Sequence, residues 1–252
     1  MTAGEPAEQR RPRPATPTDV SAAIAERRRR ERRRRRLLVG AVAGLLALSL
    51  LLVWLVRFSS VLAVRTVEVT GTRLVDAKQV EQAAEVPLGT PIARLETGPV
   101  AQRVVDRLTP VGSVRVRTRL PGTVVLEVSE RTPVYERRTA TGYQWVDAAG
   151  VIFHTEAKHA KGRTIVTTPG VQNRTLADIA TVVAALPPAL AQRVDHVTAA
   201  SGDDIVLVLD KGQQVRWGSA AASADKAKVA MVLLGQKATV FDVSSPGSPS
   251  TR

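Results

Sequence analysis

The fold class follows most directly from residues 111–130, VGSVRVRTRLPGTVVLEVSE. Apolar and polar side chains alternate on both sides of Pro121-Gly122, and this period of two predicts a β-hairpin with one apolar and one polar face. If the loop comprises residues 120–122, Arg115 lies opposite Glu127, an exposed pair worth about a few tenths of a kcal/mol. The hairpin therefore predicts a sheet that covers a core on one side and faces water on the other.

Upstream of this hairpin the sequence predicts one strand and two short helices. Residues 65–69 alternate polar and apolar side chains and are closed by Gly71, a pattern typical of a strand. Asp76 is placed to cap a first helix, and Pro99 is placed to begin a second helix that ends before Pro110. The order strand, helix, helix, strand, strand predicts a small two-layer α+β domain over residues 61–130.

Downstream, residues 131–243 predict a second domain in which short strands dominate. The strands are predicted at residues 134–138, 143–146, 151–154, 164–167, 194–199, 205–209, 214–217 and 239–243. Helices expected around residues 176–186 and 225–234 interrupt them, so we expect a mixed, mainly antiparallel β-domain with two helices. The Ser-, Pro- and Gly-rich residues 244–252 are expected to form a flexible C-terminal tail.

On the N-terminal side, residues 37–56 carry no charge and include nine Leu and four Val. A helix of that length covers roughly 30 Å, the thickness of the hydrocarbon core of a bilayer. The Leu and Val side chains together favour insertion by on the order of 4–8 kcal/mol. The sequence thus predicts a single transmembrane helix over residues 37–57. Within it, Gly40 and Gly44 have the GxxxG spacing that brings spanning helices together, although small residues are common in such helices.

Residues 1–36 form a basic tail with twelve Arg and five acidic residues. The tail has almost nothing to bury, so it is predicted to be disordered. Since only Arg57 and Arg65 follow the span closely, the positive-inside rule places the N-terminus in the cytoplasm and the chain beyond the span outside. A cleaved signal peptide is the alternative, but its apolar core is usually roughly 7–15 residues long. The arginine run lacks interleaved aromatics, and topology and anionic lipid explain it better than nucleic acid does.

Little in the sequence indicates catalysis or cofactor binding. There is no Cys, which excludes disulfides, thiolate metal sites and thiol nucleophiles. The three His residues include no i, i+4 pair, and no phosphate loop, dinucleotide fingerprint or nucleophile elbow is present. We therefore expect no enzyme activity, no cofactor, no metal, no small-molecule substrate and no nucleic acid partner, although a triad assembled from loops would escape these motifs.

Several short segments in the extracytoplasmic part carry a family resemblance. They are residues 67–71 (VEVTG), residues 86–92 (VPLGTPI), the hairpin with Arg119-Leu120-Pro121, residues 130–133 (ERTP), residues 145–153 (WVDAAGVIF), residues 215–218 (VRWG) followed by Lys226, and residues 241–246 (FDVSSP). Each segment alone is a turn or a strand end. In their order, and with the single span, the chain resembles the FtsQ family of bacterial cell-division proteins. In that family a membrane-proximal POTRA domain is followed by a β-domain. The Arg-, Ala- and Val-rich composition resembles actinobacterial members.

The resemblance implies a non-enzymatic bitopic scaffold of the division machinery, enriched at the septum. Such a protein would bind FtsB-like and FtsL-like partners outside the cytoplasm and would link or regulate septal peptidoglycan synthesis. In the family the late strands of the β-domain capture FtsB, which assigns the partner role to Thr239, Val240, Phe241 and Val243. This short β-prone segment would leave an unpaired edge for a partner strand, with Phe241 as its anchor. The alternative is that Phe241 and Trp217 simply fill the core.

Other classes of protein share parts of this organisation. A signal-anchored envelope enzyme would need convergent titratable residues in a cleft. A POTRA-type envelope assembly factor would be expected to carry repeated POTRA units or a membrane barrel. A sensor that signals through the tail would need a folded cytoplasmic module, for which residues 1–36 are too few.

Overall fold

The structure, a computed structural model, describes residues 17–58, 62–169 and 172–252, and within the first helix it describes the side chains of residues 33–54. The chain divides into two compact units, Met1–Leu62 and Ala63–Arg252.

The first unit contains one long helix, α1, over Pro17–Phe58. Its segment Arg33–Trp54 is long and apolar enough to cross a membrane. The helix begins well before the predicted span, so residues 17–36, expected to be disordered, are helical, while residues 1–16 lie outside the described part. Arg, Glu and Ala are good helix formers, and the apolar helix that follows supplies a nucleated turn from which helix propagates.

The second unit begins with a three-stranded domain in the predicted order. Its elements are β1 (Thr66–Thr70), α2 (Ala77–Ala84), a 3-10 helix (Ile92–Arg94), α3 (Thr97–Arg107), β2 (Val111–Arg119) and β3 (Thr123–Glu130). The strand order is β1-β3-β2, with β1 parallel and β2 antiparallel to β3. In the hairpin Arg115 lies opposite Glu127, as the predicted loop requires. Both helices pack on the apolar face, where Val80, Val104 and Leu126 are fully buried.

The ends of these helices follow local chemistry. The backbone N–H of Lys78 donates to the Asp76 carboxylate at 2.7 Å, which is the predicted cap of α2. Helix α3 begins at Thr97, two residues before the predicted start. Pro99 then lies in the first turn, where its missing N–H has no intrahelical partner to lose.

A nine-stranded sheet forms the rest of the second unit. Its strands are β4 (Tyr135–Thr139), β5 (Gly142–Val146), β6 (Ile152–Glu156), β7 (Ile165–Thr167), β8 (Val194–Ser201), β9 (Asp204–Leu209), β10 (Gln214–Gly218), β11 (Val240–Asp242) and β12 (Ser250–Thr251). Their order is β12-β11-β10-β9-β8-β7-β4-β5-β6. Three neighbouring pairs, β4/β7, β7/β8 and β10/β11, are parallel and the others antiparallel. The predicted class, a mixed α+β fold with a mainly antiparallel sheet, is confirmed.

Among its described residues, the nine-stranded domain has three helices rather than the predicted two: α4 (Asn173–Ala184), α5 (Pro188–Ala191) and α6 (Ser223–Leu233). The additional helix α5 is a single turn that begins at Pro188, two residues after the predicted end of the preceding helix. Proline is favoured at the first position of a helix because its fixed φ suits the helix and its missing N–H is not needed there. Leu190 from this turn is fully buried in the core with Leu176 and Ile179 of α4.

Candidate partner-binding site

The segment predicted to bind a partner forms β11 and its flanks, near one end of the nine-stranded sheet. On its inner side β11 pairs with β10, where Gln214 N donates to Thr239 O at 2.8 Å and Val243 N donates to Arg216 O at 3.0 Å. The side chains alternate along the strand, because Phe241 and Val243 are buried whereas Val240, the first residue of the strand, is half-buried. Thr239, which precedes the strand, is exposed. The four predicted residues therefore point to two different faces.

Phe241 lies in the core. Its side chain is fully buried, as is that of Trp217 on β10. The Trp217 indole Nε1 donates to Ser223 Oγ at 3.0 Å, which satisfies its polar group inside the core. Both rings thus fill the core, as the alternative interpretation of the sequence expected. Phe241 presents no side-chain surface to a partner.

The outer edge of β11 is occupied by the chain itself. Thr239 N and Val240 N donate to Arg252 O at 2.8 and 3.0 Å, and Arg252 N donates to Val240 O at 2.9 Å. The expectations of an unpaired edge and of a flexible tail over residues 244–252 are therefore both wrong. An exposed edge strand leaves backbone groups without partners, and after a turn in which Ser248 N donates to Ser245 O the tail satisfies them as β12.

Charged groups surround the β11–β12 pair. A small cavity of about 110 Å³ is lined by Arg216, Val240, Asp242, Ser250 and Arg252. Hydrogen bonds from Ser244 Oγ at 2.6 Å and Ser244 N at 3.0 Å, together with the charges of Arg216 and Arg252, hold the pKa of Asp242 below its usual value against the effect of partial burial. The carboxylate is thus ionised at neutral pH.

Lys226 connects the N-terminal part of α6 to the end of β10. Its side chain is almost fully buried, and its Nζ donates to Trp217 O at 3.0 Å and Ser219 O at 2.9 Å. Burial lowers the pKa of Lys226, while the charge of Asp242 acts in the opposite direction. The residue singled out by the family resemblance therefore holds helix to strand behind the edge.

The other predicted association site lies on α1. Gly40 and Gly44 are one turn apart, and a Cβ added at either would meet no other atom within 4 Å. Two spanning helices could approach closely along such a face. Self-association through these residues stays a prediction.

Two polar clusters were not predicted from the sequence. In the first, the fully buried Glu136 carboxylate receives hydrogen bonds from Ala160 N at 3.2 Å and Arg163 at 3.1 Å and lies 2.6 Å from His159 Nδ1. Arg163 also stacks on the Trp145 ring, 3.9 Å from its centroid. A carboxylate that is fully buried needs charged or hydrogen-bonding partners, and the loop supplies them here. The cluster fastens the loop between β6 and β7.

The second cluster lies at the end of β3 and contacts both the loop after β1 and the nine-stranded domain. The Glu130 carboxylate accepts hydrogen bonds from the backbone N–H groups of Arg73, Leu74 and Val75 at 2.7, 2.8 and 3.1 Å. Although partial burial raises it, the pKa of Glu130 is lowered overall by these bonds and by the charge of Arg73. The next residue, Arg131, pairs with Asp147. Glu130 and Arg131 belong to a segment that carried the family resemblance. Their contacts hold neighbouring parts of the fold together.

Within the residues that the structure describes, no group of three or more His, Asp or Glu side chains is arranged to hold a metal ion. His154 and His196 each lie beside one carboxylate, of Glu156 and Asp195.

Comparison with known families matches two models along the chain. Residues 62–131 match the POTRA domain, FtsQ-type, and residues 135–244 match the C-terminal model of cell division protein FtsQ/DivIB.

Curated relatives named cell division protein FtsQ match over most of the chain. The protein of Mycobacteroides abscessus is 33% identical over 77% of this chain, and that of Mycolicibacterium smegmatis is 33% identical over 84%. This chain spans 63% of the length of each of those two relatives. The relative from Streptomyces collinus is 33% identical over 79% of this chain and 81% of its own length.

Among solved structures, the major extracytoplasmic domain of the trans isomer of DivIB from Geobacillus stearothermophilus is 13% identical, with a TM-score of 0.34, over 40% of this chain and 87% of that chain. The two family models and the relatives agree along the sequence. This chain therefore belongs to the FtsQ/DivIB family of bacterial cell division proteins.

Proposed function

We propose that this chain is a non-enzymatic, membrane-anchored scaffold of the division machinery that acts at the septum. The N-terminus lies in the cytoplasm and the two domains outside, an orientation supported by the nine Arg of residues 27–36 before the apolar run and the two Arg that follow it. Outside, the scaffold binds FtsB-like and FtsL-like proteins and thereby links or regulates septal peptidoglycan synthesis.

The observation that carries this proposal is the weakly covered end of the nine-stranded sheet. In the part of the chain that the structure describes, the outer edge of β11 is covered by β12, a strand of two residues. Addition of a strand at a sheet edge supplies main-chain hydrogen bonds without requiring a preformed pocket. A longer partner strand would make more of these bonds with residues 239–243 than β12 makes.

The binding role that the sequence assigned to Thr239, Val240, Phe241 and Val243 is thereby redistributed. Thr239 and Val240 contribute backbone groups and accessible side chains at the edge. Phe241 and Val243, both fully buried, keep the strand in place from below. The partner strand replaces β12 because both use the same N–H and C=O groups of β11.

This exchange predicts opposite effects for two variants. Deleting residues 248–252 removes the competing strand, and since each net hydrogen bond is worth about 1 kcal/mol, we expect partner affinity to rise by roughly 3- to 10-fold. Thr239→Pro removes an outward-facing N–H that both strands use, so we expect it to weaken binding. Biolayer interferometry with the FtsB-like protein of the same organism measures both; a deletion that weakens binding would contradict the exchange.

The scaffold role itself is tested by depletion. We expect loss of the protein to lower the number of septa per unit cell length, and an N-terminal fluorescent fusion to concentrate at division sites. Microscopy of a depletion strain carrying the fusion measures both. Normal septation with the fusion spread evenly around the envelope would contradict the proposal.

A further inference from the structure

We infer that two loops of the three-stranded domain, residues 87–90 and 119–122, form a surface that contacts the lipid membrane. Both loops are fixed to the segment by which the chain enters that domain. Gly89 N donates to Val64 O at 2.8 Å, and Val64 N donates to Thr90 O at 2.9 Å. On the other side, Arg65 N donates to Gly122 O at 2.8 Å. The two loops therefore flank residues 63–65.

The close approach of the second loop depends on a glycine. A Cβ added at Gly122 would lie 2.5 Å from the carbonyl oxygen of Ala63, nearer than any real side chain is found. The tip of the β2–β3 hairpin is thus held directly against the entry segment. Its position there follows from backbone contacts, which do not depend on the side chain of Leu120.

Each loop presents one large apolar side chain to solvent. Leu88 is 65% exposed and Leu120 is 69% exposed, whereas the next most exposed large apolar side chain of residues 62–130, Leu74, is 36% exposed. Most other large apolar side chains of this domain pack into or against its core. Exposed apolar groups that are gathered rather than scattered mark a binding surface.

The two loops and the entry segment carry arginine as their charged residues, whereas Lys78, Glu81 and Glu85 line the cavity beside Leu88. Residues 62–65, 87–90 and 119–122 contain Arg65 and Arg119 and no acidic residue. Both arginines are exposed, and Arg119 pairs across the sheet with Glu68. Leu120, which follows Arg119 on a loop bonded to Arg65, matches the acyl boundary and the phosphate layer of a bilayer.

The short link between the apolar run and this domain indicates that the surface contacts lipid. Val56, the last residue of the apolar run, is seven residues before Ala63, so a fully extended chain between them covers at most about 25 Å. The headgroup region occupies roughly 5–8 Å of that distance on each side of a bilayer. The inference rests on the proposed membrane anchoring, because an inserted apolar run is what keeps this surface beside the bilayer.

The absence of cysteine in the chain allows the surface to be probed with single labels. Leu88→Cys and Leu120→Cys place an environment-sensitive fluorophore on the two loops. Val232→Cys, on α6 and 75% exposed, is the matched control for an exposed apolar site elsewhere. Leu48→Cys labels the apolar run and reports insertion of the anchor.

The full-length variants are reconstituted in vesicles of phosphatidylcholine and phosphatidylglycerol in equal parts, with and without nitroxide-labelled lipid. We expect the labels at positions 88 and 120 to lose most of their emission to the nitroxide, and the label at 232 to keep it. Matching melting temperatures verify that the exposed substitutions leave the fold intact.

Two outcomes would overturn the inference, and they are distinguishable. If position 48 is quenched while positions 88 and 120 behave like position 232, the anchor is inserted but the loops do not contact lipid and serve another partner. If position 48 is not quenched, the anchoring part of the proposed function fails as well.

Discussion

Replacing Phe241 with Ala is expected to lower the free energy of unfolding by about 3–5 kcal/mol, since the ring is fully buried and its removal leaves a cavity as well as lost apolar burial. Phe241 lies beside Val215 on β10 and belongs to the same core as Trp217. The structure therefore predicts that the ring contributes to stability before any effect on a partner is considered.

The matched control is Val240→Ala. Val240 is adjacent on the same strand, but its side chain is half-buried and points to the other face. We expect this substitution to lower the free energy of unfolding by less than about 1 kcal/mol. Urea denaturation of the detergent-solubilised chain, followed by circular dichroism, compares the two variants; equal stabilities would show that Phe241 is outside the core.

A binding measurement on the same pair separates stability from recognition. At a temperature where both variants are folded, Phe241→Ala should retain partner affinity unless the strand itself is displaced. The edge groups of Thr239 and Val240 supply main-chain contacts, which side-chain truncation in the core does not remove. A selective loss of affinity in Phe241→Ala with unchanged stability would instead support the original assignment of Phe241 as an interface anchor.

The sequence predicted best what is determined locally. The alternation on either side of Pro121-Gly122 defines both strands of the hairpin and, with a short loop, their register, so that Arg115 and Glu127 are correctly opposed. The cap at Asp76 depends likewise on residues close in sequence. These features were predictable because the interactions that specify them lie within one turn or one hairpin.

Features set by distant parts of the chain were not predictable in the same way. The residues of β12 carry no strong strand pattern, and they pair because the edge of β11 offers unsatisfied N–H and C=O groups. The loop that covers Glu136 similarly depends on a carboxylate more than twenty residues earlier. Composition also predicted a disordered tail, although the arginines before the apolar run extend α1 as helix.

The candidate site shows the same division. The sequence correctly predicted a strand at residues 239–243, but alternation alone does not say which face a five-residue strand turns to the core when both faces carry apolar residues. Phe241 and Val243 occupy the buried face, and Val240 occupies the other. Which backbone groups remain available at the edge depends on how the tail pairs. The periodicity of the sequence does not reveal that pairing.

Gly150→Ala is expected to lower the free energy of unfolding by as much as the truncation of a large core side chain does. Gly150 has φ 76° in the turn between β5 and β6, where Gly150 N donates to Asp147 O at 3.1 Å and the Asp147 carboxylate accepts from Val151 N at 2.8 Å. A Cβ at this position would overlap the carbonyl oxygen of Asn173 and lie 2.6 Å from the backbone nitrogen of Ala177 in α4. Both neighbours are helix backbone, so neither can move aside without disturbing α4.

Gly212 provides a control with the same backbone angle. It also has φ 76°, in the turn between β9 and β10, but an added Cβ there meets no atom within 4 Å. Gly212→Ala should therefore lower the free energy of unfolding only by the strain of a left-handed alanine, about 1–2 kcal/mol. Gly150→Ala should lower it by a further 1–3 kcal/mol or more, on the order of the cost of overpacking, because of the overlap. Alanine restricts the unfolded chain equally at both positions, so the difference between the variants isolates the contact with α4.

Denaturation of the two variants under identical conditions measures that difference. We expect Gly150→Ala to unfold at a clearly lower urea concentration than Gly212→Ala, with an unchanged dependence on urea if the native state keeps its compactness. Equal losses would mean that the turn moves away from α4 at little energetic expense. A larger loss at Gly150 would instead show that the close approach of the β5–β6 turn to α4, which has no room for a side chain, is part of what holds helix and sheet together.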